Sequence, residues 1–341
     1  MLAIQTDSVR PNSPPAEPCW RRELRQAVRD PHELVRLLDL PADFAAQALA
    51  AAGDFPLFVP REFLSRIRPG DPHDPLLRQV LPVLAEQEIV PGFSTDPVDD
   101  RAAQRTPGLL QKYPGRALLI TTGACAVHCR YCFRRHFPYQ EAPKSLSAWE
   151  PAFRAIEEDS SLHEVLLSGG DPLVMVDDFL ARLAERLAAI PHLRRLRIHT
   201  RLPIMIPGRV CSELLNWLTG TRLTPIVVVH ANHSAELDDA VAAAFGQLVD
   251  AGIVVLNQAV LLRGVNDSVE ALAALCERLV DLRVMPYYLH QLDPVAGGAH
   301  FEVPVSRGRE LMAQLTARLP GYAVPRYVRE LPGESSKTAI A

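Results

Sequence analysis

Short apolar runs of strand length alternate with longer stretches of helical periodicity from about residue 115 onward. The six runs are Ala117–Thr122, Glu164–Ser168, Leu196–Thr200, Pro225–His230, Ile253–Val260 and Val284–Leu289. Between them lie five predicted helices, Trp149–Glu158, Val176–Ile190, Ser212–Leu218, Ser234–Asp250 and Ser268–Val280. Repeated strand–helix alternation predicts an α/β fold with a parallel sheet. Because eight strands close a full barrel, six predict an open or partial barrel; a doubly wound sheet is the alternative that periodicity does not exclude.

The two ends of the chain lack this rhythm. Helical spacing marks Trp20–Leu38 and Ala42–Ala52, and frequent proline and glycine from Pro56 to Pro97 predict short helices and loops. Past residue 300 we predict one helix, Ser306–Leu319, and then a tail outside the alternating pattern. The chain is therefore expected to comprise a helical N-terminal region (1–105), a barrel (106–300) and a C-terminal arm (301–341).

Composition narrows the class of protein without identifying it. Of 341 residues, 48% are hydrophobic and 22% are charged, which excludes disorder for the chain as a whole. The formal charge of -4 argues against a dedicated nucleic-acid-binding protein. The sequence predicts no membrane span and no secretory signal. We therefore expect a cytoplasmic protein, and in that compartment clustered thiols are more often metal ligands or redox groups than disulfides.

Three of the six cysteines, Cys125, Cys129 and Cys132, fall within eight residues in a C-x3-C-x2-C arrangement. They follow the first predicted strand, and in parallel α/β folds ligands bind at the carboxyl ends of strands. Three thiolates can hold three irons of a [4Fe–4S] cluster and leave the fourth iron open to a substrate or cofactor. Spacing alone leaves two alternatives: zinc bound with the help of His128 or His136, and no metal at all.

A second candidate ligand segment ends the next predicted strand, in the sequence Ser168-Gly169-Gly170-Asp171. Glycines let the backbone approach a ligand closely. The same residues also suit a strand-to-helix turn capped by Asp171, and taken alone the segment favours that turn.

The cysteine spacing, with Tyr131 before the last cysteine, resembles that of the radical S-adenosylmethionine (SAM) superfamily. Five segments resemble the lysine 2,3-aminomutase family within it: CRYCFRRHF, LLSGGDPL, NQAVLLRGVND, MPYYLHQLD and PVSRG. The resemblance runs from about residue 100 to the C-terminus. It implies a partial (β/α)6 TIM-like barrel with a C-terminal arm that bears pyridoxal phosphate (PLP). It also implies an isomerase that uses PLP, SAM and a [4Fe–4S] cluster.

The resemblance further implies which residues hold the cofactors. The cluster is expected on Cys125, Cys129 and Cys132, with SAM bordered by Gly169, Gly170 and Asp171. Lys337 is expected to carry PLP, although a lysine so near the chain end would otherwise be interpreted as part of a solvated tail. Lys112 and Arg116 are expected to approach the PLP phosphate, and a solvated basic pair is the alternative.

The same resemblance implies a lysine substrate held at both ends. Arg134 is expected to bind the substrate carboxylate, because a guanidinium fork matches a planar acceptor. Asp293 and Glu330 are expected to hold the distant ε-ammonium. Ordinary surface charge is the alternative interpretation of all three residues.

The sequence around Lys337 narrows the resemblance to one branch. Family members that act on free lysine have a run of glycines before this lysine and usually a longer tail. Here Gly333 is followed by Glu334, Ser335 and Ser336, and the chain ends soon after Lys337. This resembles the branch that converts L-α-lysine to (R)-β-lysine, which a separate ligase attaches to translation elongation factor P. The resemblance also implies a reducing electron donor and leaves homo-oligomerisation open.

Two other functions remain compatible with the sequence. One is a metabolic aminomutase that acts on lysine or on another amino acid such as glutamate. The other is a non-catalytic, metal-stabilised module that binds elongation factor P or its ligase.

Overall fold

One ten-stranded sheet dominates the computed structural model, which describes residues 17–340. The strands lie in sequential order: β1 (Gln104–Thr106), β2 (Leu109–Tyr113), β3 (Arg116–Thr122), β4 (Glu164–Gly169), β5 (Arg195–Thr200), β6 (Thr224–Val229), β7 (Val254–Val260), β8 (Met285–His290), β9 (Arg326–Arg329) and β10 (Thr338–Ala339). Strands β3 to β9 are parallel, and β1, β2 and β10 pair antiparallel at the two edges. Because the order never reverses, the sheet is a partial, open barrel rather than a doubly wound sheet.

All six predicted strands are present, as β3 to β8. A seventh parallel strand, β9, lies beside β8 with Tyr288 opposite Arg326. The strand–helix rhythm therefore continues one unit further than the sequence indicated. The reason is that β9 has only four residues and begins and ends with arginine, Arg326 and Arg329, which conceals its apolar centre.

Twelve α-helices accompany the sheet in the described residues. They are α1 (Cys19–Arg25), α2 (Pro31–Leu37), α3 (Asp43–Ala52), α4 (Arg61–Leu64), α5 (Pro75–Arg78), α6 (Glu150–Glu158), α7 (Asp177–Ala188), α8 (Leu202–Met205), α9 (Ser212–Thr219), α10 (Asp239–Asp250), α11 (Val269–Asp281) and α12 (Val305–Arg318). The stretch predicted as one helical region at 20–38 is two helices. Asp30 accepts a hydrogen bond from the His32 amide at 3.0 Å, and Pro31 starts a new helix there.

Alternating side chains give each strand one face toward the helices and one toward the barrel interior. In β5, Leu196 and Ile198 are buried in the core, whereas Arg197 and His199 lie on the opposite face. The largest cluster of buried apolar residues reaches Trp20 in the N-terminal region. The division of the chain at residues 105 and 300 stays a prediction. None of the helices within residues 17–340 has the length and apolar character needed to cross a membrane.

Candidate active site

The cysteine loop, residues 123–137, follows the carboxyl end of β3, beside the carboxyl end of β4. Its thiols lie close enough to influence one another. Burial, and then the neighbouring Cys132, raise the pKa of Cys125 well above its usual range. Burial, and then Cys129, raise the pKa of Cys132 to about 11. Iron binding to these thiols therefore has to displace protons.

The N-terminal region holds the cysteine loop from outside the barrel. The His128 amide donates to Phe58 O at 2.9 Å, and the Arg130 amide donates to Gln79 O at 2.9 Å. The Arg130 guanidinium pairs with Glu86 at 2.5 Å, and both side chains are almost completely buried. Breaking such a pair leaves an uncompensated buried charge, so this contact fixes the loop strongly. The sequence alone assigned no role to the N-terminal region.

Each histidine of the loop contacts a backbone carbonyl through one ring nitrogen. His128 Nδ1 lies 2.8 Å from Pro56 O, and His136 Nε2 lies 3.0 Å from Ala296 O. Across residues 17–340, no three His, Cys, Asp or Glu side chains are arranged to hold a single metal ion. The described residues therefore present no preformed site for a single zinc ion. A cluster whose irons take one thiolate each does not require the three sulfurs to meet at one ion.

The Gly169–Gly170 segment packs directly against the start of the cysteine loop. The Gly170 amide donates to Thr122 O at 2.7 Å. A Cβ at Gly169 would lie 2.4 Å from Thr122 O, and one at Gly170 would lie 2.2 Å from Ala124 O. Gly169 also has a φ of 132°, which favours glycine. Close packing of two strand ends is enough to explain both glycines.

Asp171 caps the turn after β4, which was the alternative to ligand binding in the interpretation of this segment from sequence. Its carboxylate accepts hydrogen bonds from the Leu173 amide at 3.0 Å, the Thr200 hydroxyl at 2.8 Å, the Arg201 amide at 2.8 Å and the Leu202 amide at 3.1 Å. The chain itself therefore fills the acceptor positions of this carboxylate. Asp171 holds the carboxyl ends of β4 and β5 together beside the cysteine loop, and its contact with SAM stays a prediction.

An alternating series of charges, here called the charge ladder, runs through the barrel from Lys337 to Arg134. Lys337 Nζ lies 2.6 Å from Glu330 Oε2, and Glu330 Oε1 lies 3.0 Å from Lys112 Nζ. Lys112 Nζ also lies 2.7 Å from Asp100 Oδ1, and Arg134 Nε lies 2.6 Å from Asp100 Oδ2. The structure thus brings together four of the residues that the sequence singled out. Arg134 connects the ladder to the cysteine loop.

Asp100 is the member of the ladder that the sequence did not reveal. Burial alone would raise its pKa, but Arg134 and Lys112 outweigh burial and lower it, so the carboxylate is ionised. The residue lies in the loop before β1, 34 positions from Arg134. No local signal distinguishes Asp100 from the adjacent Asp99 in the sequence.

The two predicted substrate carboxylates near Lys337 ionise differently. Burial would raise the pKa of Glu330, but Lys337 and Lys112 outweigh burial and hold that pKa at about 2. Burial raises the pKa of Asp293 to about 7, with Lys337 opposing the rise and Glu330 adding to it. Among the ion pairs of the described residues, none includes Asp293. Asp293 is therefore available to a cationic ligand.

Lys337 lies on ordered backbone rather than in a solvated tail. It directly precedes β10, in which Thr338 pairs with Arg329 of β9. This pairing brings Lys337 back beside Glu330, and only 23% of its side chain is exposed.

Arg116 lies apart from the charge ladder. It begins β3, and its guanidinium carbon lies 4.6 Å from the ring centroid of Tyr113. This cation–π contact holds Arg116 against β2. The structure therefore does not unite Arg116 with Lys112 in a single ion-pair cluster.

Sequence comparison decides which family this site belongs to. The L-lysine 2,3-aminomutase of Escherichia coli K12 is 46% identical over 327 residues, which cover 96% of this chain and 95% of the relative. The protein of the same name from Haemophilus influenzae is 43% identical over 333 residues, covering 96% and 98%. That of Clostridium subterminale is 34% identical over 323 residues, covering 94% and 77%. This chain belongs to the lysine 2,3-aminomutase family.

Membership of the lysine 2,3-aminomutase family makes the chain an isomerase whose cofactors are a [4Fe–4S] cluster, SAM and PLP. A scan against protein-family models found no match. Among solved structures, a radical SAM methyltransferase from Sphaerobacter thermophilus aligns with a TM-score of 0.44 and 20% identity, covering 64% of this chain and 68% of that chain. Because this structural similarity is low, the assignment to the family rests on the sequence relatives alone.

The residues present fit these aminomutase cofactors. Cysteine thiolates are the usual ligands of [4Fe–4S] irons, and three of them lie on one loop. Near Lys337, two buried ring nitrogens have no hydrogen-bond partner in the described part of the chain: His199 Nε2 and His290 Nε2. Burial, followed by nearby cations that include Lys337, lowers the pKa of both histidines. Buried polar atoms need partners, and a polar cofactor such as PLP would provide them.

Proposed function

We propose that this protein is an L-lysine 2,3-aminomutase that converts L-α-lysine to (R)-β-lysine. The charge ladder is the observation that supports this proposal most. It has the Arg134 guanidinium at the cysteine-loop end and the Glu330 carboxylate at the Lys337 end. Lysine carries a carboxylate at one end and an ammonium at the other, so its charges complement the two ends of the ladder.

Arg134 is proposed to bind the substrate carboxylate. Asp100 holds the guanidinium through Nε at 2.6 Å, and Nη1 donates to Ser168 Oγ at 3.2 Å. A guanidinium has five N–H donors, so Asp100 can keep Nε while the outer nitrogens turn to a planar carboxylate. In this arrangement Asp100 orients Arg134 and Arg134 orients the substrate.

Asp293 and Glu330 are proposed to hold the substrate ε-ammonium. Asp293 belongs to no ion pair of the described residues, and Glu330 Oε2 is held by Lys337. When Lys337 Nζ is engaged by PLP, this oxygen becomes available to another cation. Two carboxylates favour a substrate with a second ammonium, whereas glutamate would bring another negative charge against them.

Lys337 is proposed to carry PLP, with Lys112 and Arg116 as the cations near its phosphate. Bound PLP supplies the conjugated system that allows an amino group to move between adjacent carbons. Lys112 already contacts Glu330 and Asp100, so it would exchange partners to reach a phosphate. Arg116 lies against Tyr113 outside the ladder and requires no such exchange.

The SAM site is proposed to lie where the Gly169–Asp171 turn packs on the cysteine loop, with Cys125, Cys129 and Cys132 as the cluster ligands. The turn contacts the backbone of Thr122 and Ala124, immediately before the first cysteine. SAM bound to the open iron would therefore be bordered by this turn.

The product is proposed to serve the modification of elongation factor P by a separate ligase. The support is local sequence: Gly333, Glu334, Ser335 and Ser336 precede Lys337 in place of the glycine run of free-lysine enzymes.

A panel of amino acids tests the substrate and the stereochemistry. Anaerobically reconstituted enzyme with SAM, PLP and dithionite is incubated separately with L-lysine, L-ornithine and L-glutamate, and products are separated by chiral chromatography. We expect (R)-β-lysine from lysine and little product from the others. Preferred turnover of glutamate, or formation of (S)-β-lysine, would contradict the respective parts of the proposal. A mere binding module would not cleave SAM under reduction.

A coupled assay tests the link to elongation factor P. The purified factor and its ligase are supplied with L-lysine, with or without this enzyme, and the amino acid attached to the factor is released and identified. We expect β-lysine on the factor only when the enzyme is present. Modification of the factor should then be faster than in the sample without the enzyme, where the ligase has only α-lysine. Equal modification without the enzyme would favour the metabolic role.

A further inference from the structure

A buried arginine outside the cysteine motif donates a hydrogen bond to a proposed cluster ligand. Arg201 Nη1 lies 2.9 Å from Cys129 Sγ. The arginine directly follows β5, and its own amide is fixed by Asp171 at 2.8 Å. It is thus held by the same carboxylate that holds the turn after β4.

The remaining contacts leave Arg201 almost no freedom to move. Its Nη2 donates to Gln79 Oε1 at 2.7 Å and to Glu236 Oε2 at 2.8 Å. The guanidinium carbon lies 5.5 Å and 5.8 Å from the ring centroids of Phe63 and Tyr131. The side chain of Arg201 is 6% exposed and that of Glu236 is completely buried. A fixed positive charge therefore lies beside the Cys129 sulfur, with a fixed negative charge behind it.

Such a charge pair acts on the electron affinity of a cluster. One-electron reduction of a [4Fe–4S] cluster adds one negative charge to the iron–sulfur core and its thiolates. Hydrogen bonds to the sulfurs, net charge and solvent exposure set the reduction potential. In a buried site with little solvent screening, a cation in contact with a thiolate stabilises the reduced form and an anion behind that cation weakens the effect.

We propose that Arg201 raises the reduction potential of the cluster, so that an external one-electron donor can reduce it. Glu236 weakens this effect of Arg201. The proposal rests on the proposed cluster ligands. It predicts opposite changes from two substitutions: Arg201→Met, which removes the cation, lowers the midpoint potential, and Glu236→Gln, which removes the anion, raises it. A purely structural role for the pair would shift both variants in the same direction or in neither.

The test is an anaerobic redox titration of the reconstituted enzyme without SAM, followed by the electron paramagnetic resonance signal of the reduced cluster. At the wild-type midpoint potential, we expect the ratio of reduced to oxidised cluster to fall at least tenfold in Arg201→Met, which corresponds to about 59 mV for a one-electron couple. In Glu236→Gln the ratio should rise. Arg201→Lys keeps the charge and should lie between wild type and Arg201→Met.

Arg209→Met is the matched control. Arg209 is also buried and paired with an acid, Asp177, at 2.7 Å, but it contacts Cys211 rather than one of the proposed cluster ligands. The midpoint potential of this control variant should equal that of the wild type.

Equal potentials in wild type and Arg201→Met, or shifts of one sign in both Arg201→Met and Glu236→Gln, would overturn the proposal. If Arg201→Met holds no cluster, Arg201→Lys and Glu236→Gln decide by the same criteria. A wild-type protein that assembles no [4Fe–4S] cluster would instead refute the cysteine assignment on which the proposal rests.

Discussion

The charged groups on the two sides of Arg134 differ in how firmly they are held. Around the cysteine loop, the Arg130–Glu86 pair is at most 1% exposed on either side chain, and its arginine is fixed by planar hydrogen-bond geometry. Toward Lys337, the ladder consists mainly of lysines on flexible stems, with Lys112 17% exposed and Lys337 23% exposed. An ammonium is a compact charge that rotates readily between partners.

This difference separates a supporting framework from a binding surface. Pairs around the cysteine loop have to survive every turnover, because they hold the loop that is proposed to carry the cluster. The lysines of the ladder, in contrast, have to release their carboxylate partners when lysine and PLP bind. Buried arginine–carboxylate pairs suit the first task, and partly exposed lysine–carboxylate pairs suit the second.

The largest effect should come from the anchoring residue of the ladder. Lys337→Ala is expected to abolish the visible absorbance of bound PLP and all formation of β-lysine, because it removes the amine that is proposed to carry PLP. Iron content and the spectrum of the cluster should stay at wild-type values, since Lys337 does not contact the cysteine loop. Normal turnover in this variant would refute the assignment of Lys337.

The next largest effect should be on the free energy of unfolding, which is expected to differ between a variant beside the cysteine loop and a variant at Lys337. Glu86→Gln breaks the buried pair with Arg130 and is expected to lower the free energy of unfolding by about 3–5 kcal/mol. Lys337→Ala removes a less deeply buried pair and leaves Glu330 paired with Lys112 at 3.0 Å, so we expect a smaller loss of the free energy of unfolding than in Glu86→Gln. Anaerobic urea unfolding of both variants measures this difference, and equal losses would remove the distinction between framework and binding surface.

Binding of the substrate carboxylate should show a moderate effect. Arg134→Lys keeps the charge but loses the planar fork, and we expect kcat/KM for lysine to fall roughly ten- to a hundredfold, as for the loss of one charged hydrogen bond. Steady-state kinetics with the cluster content of each sample matched provide the measurement. A variant with unchanged kcat/KM would place the carboxylate elsewhere.

The smallest effect concerns pH. Burial raises the pKa of Asp293 to about 7, so its carboxyl is charged above that pH and neutral below it. If the charged form holds the substrate ammonium, kcat/KM for lysine should fall as pH decreases through about 7. Asp293→Asn should lower kcat/KM at pH 8 by about tenfold and remove this limb of the profile. An identical low-pH limb in the variant would assign it to another group.

The sequence predicted the repeating strands and helices better than the side-chain contacts between distant parts of the chain. Six strands follow from apolar periodicity, and the cysteine loop follows from spacing, because both are local patterns. The sequence did not reveal Asp100 and Arg201, because each forms its hydrogen bond with a residue far along the chain. Asp100 accepts from Arg134, and Arg201 donates to Cys129. Only the barrel brings such residues together. Only the resemblance assigns Lys337 a role, since its local sequence alone is that of a tail.

One assay tests the central claim, that the cysteine loop and Lys337 form one lysine-converting site. Wild type, Cys129→Ala and Lys337→Ala are reconstituted anaerobically with iron, sulfide and PLP, then given SAM, dithionite and L-lysine, and β-lysine is measured by chromatography. We expect β-lysine from the wild type alone, with the cluster absent only in Cys129→Ala and bound PLP absent only in Lys337→Ala. No β-lysine from a wild type that contains both cofactors, or β-lysine from either variant, would contradict the account.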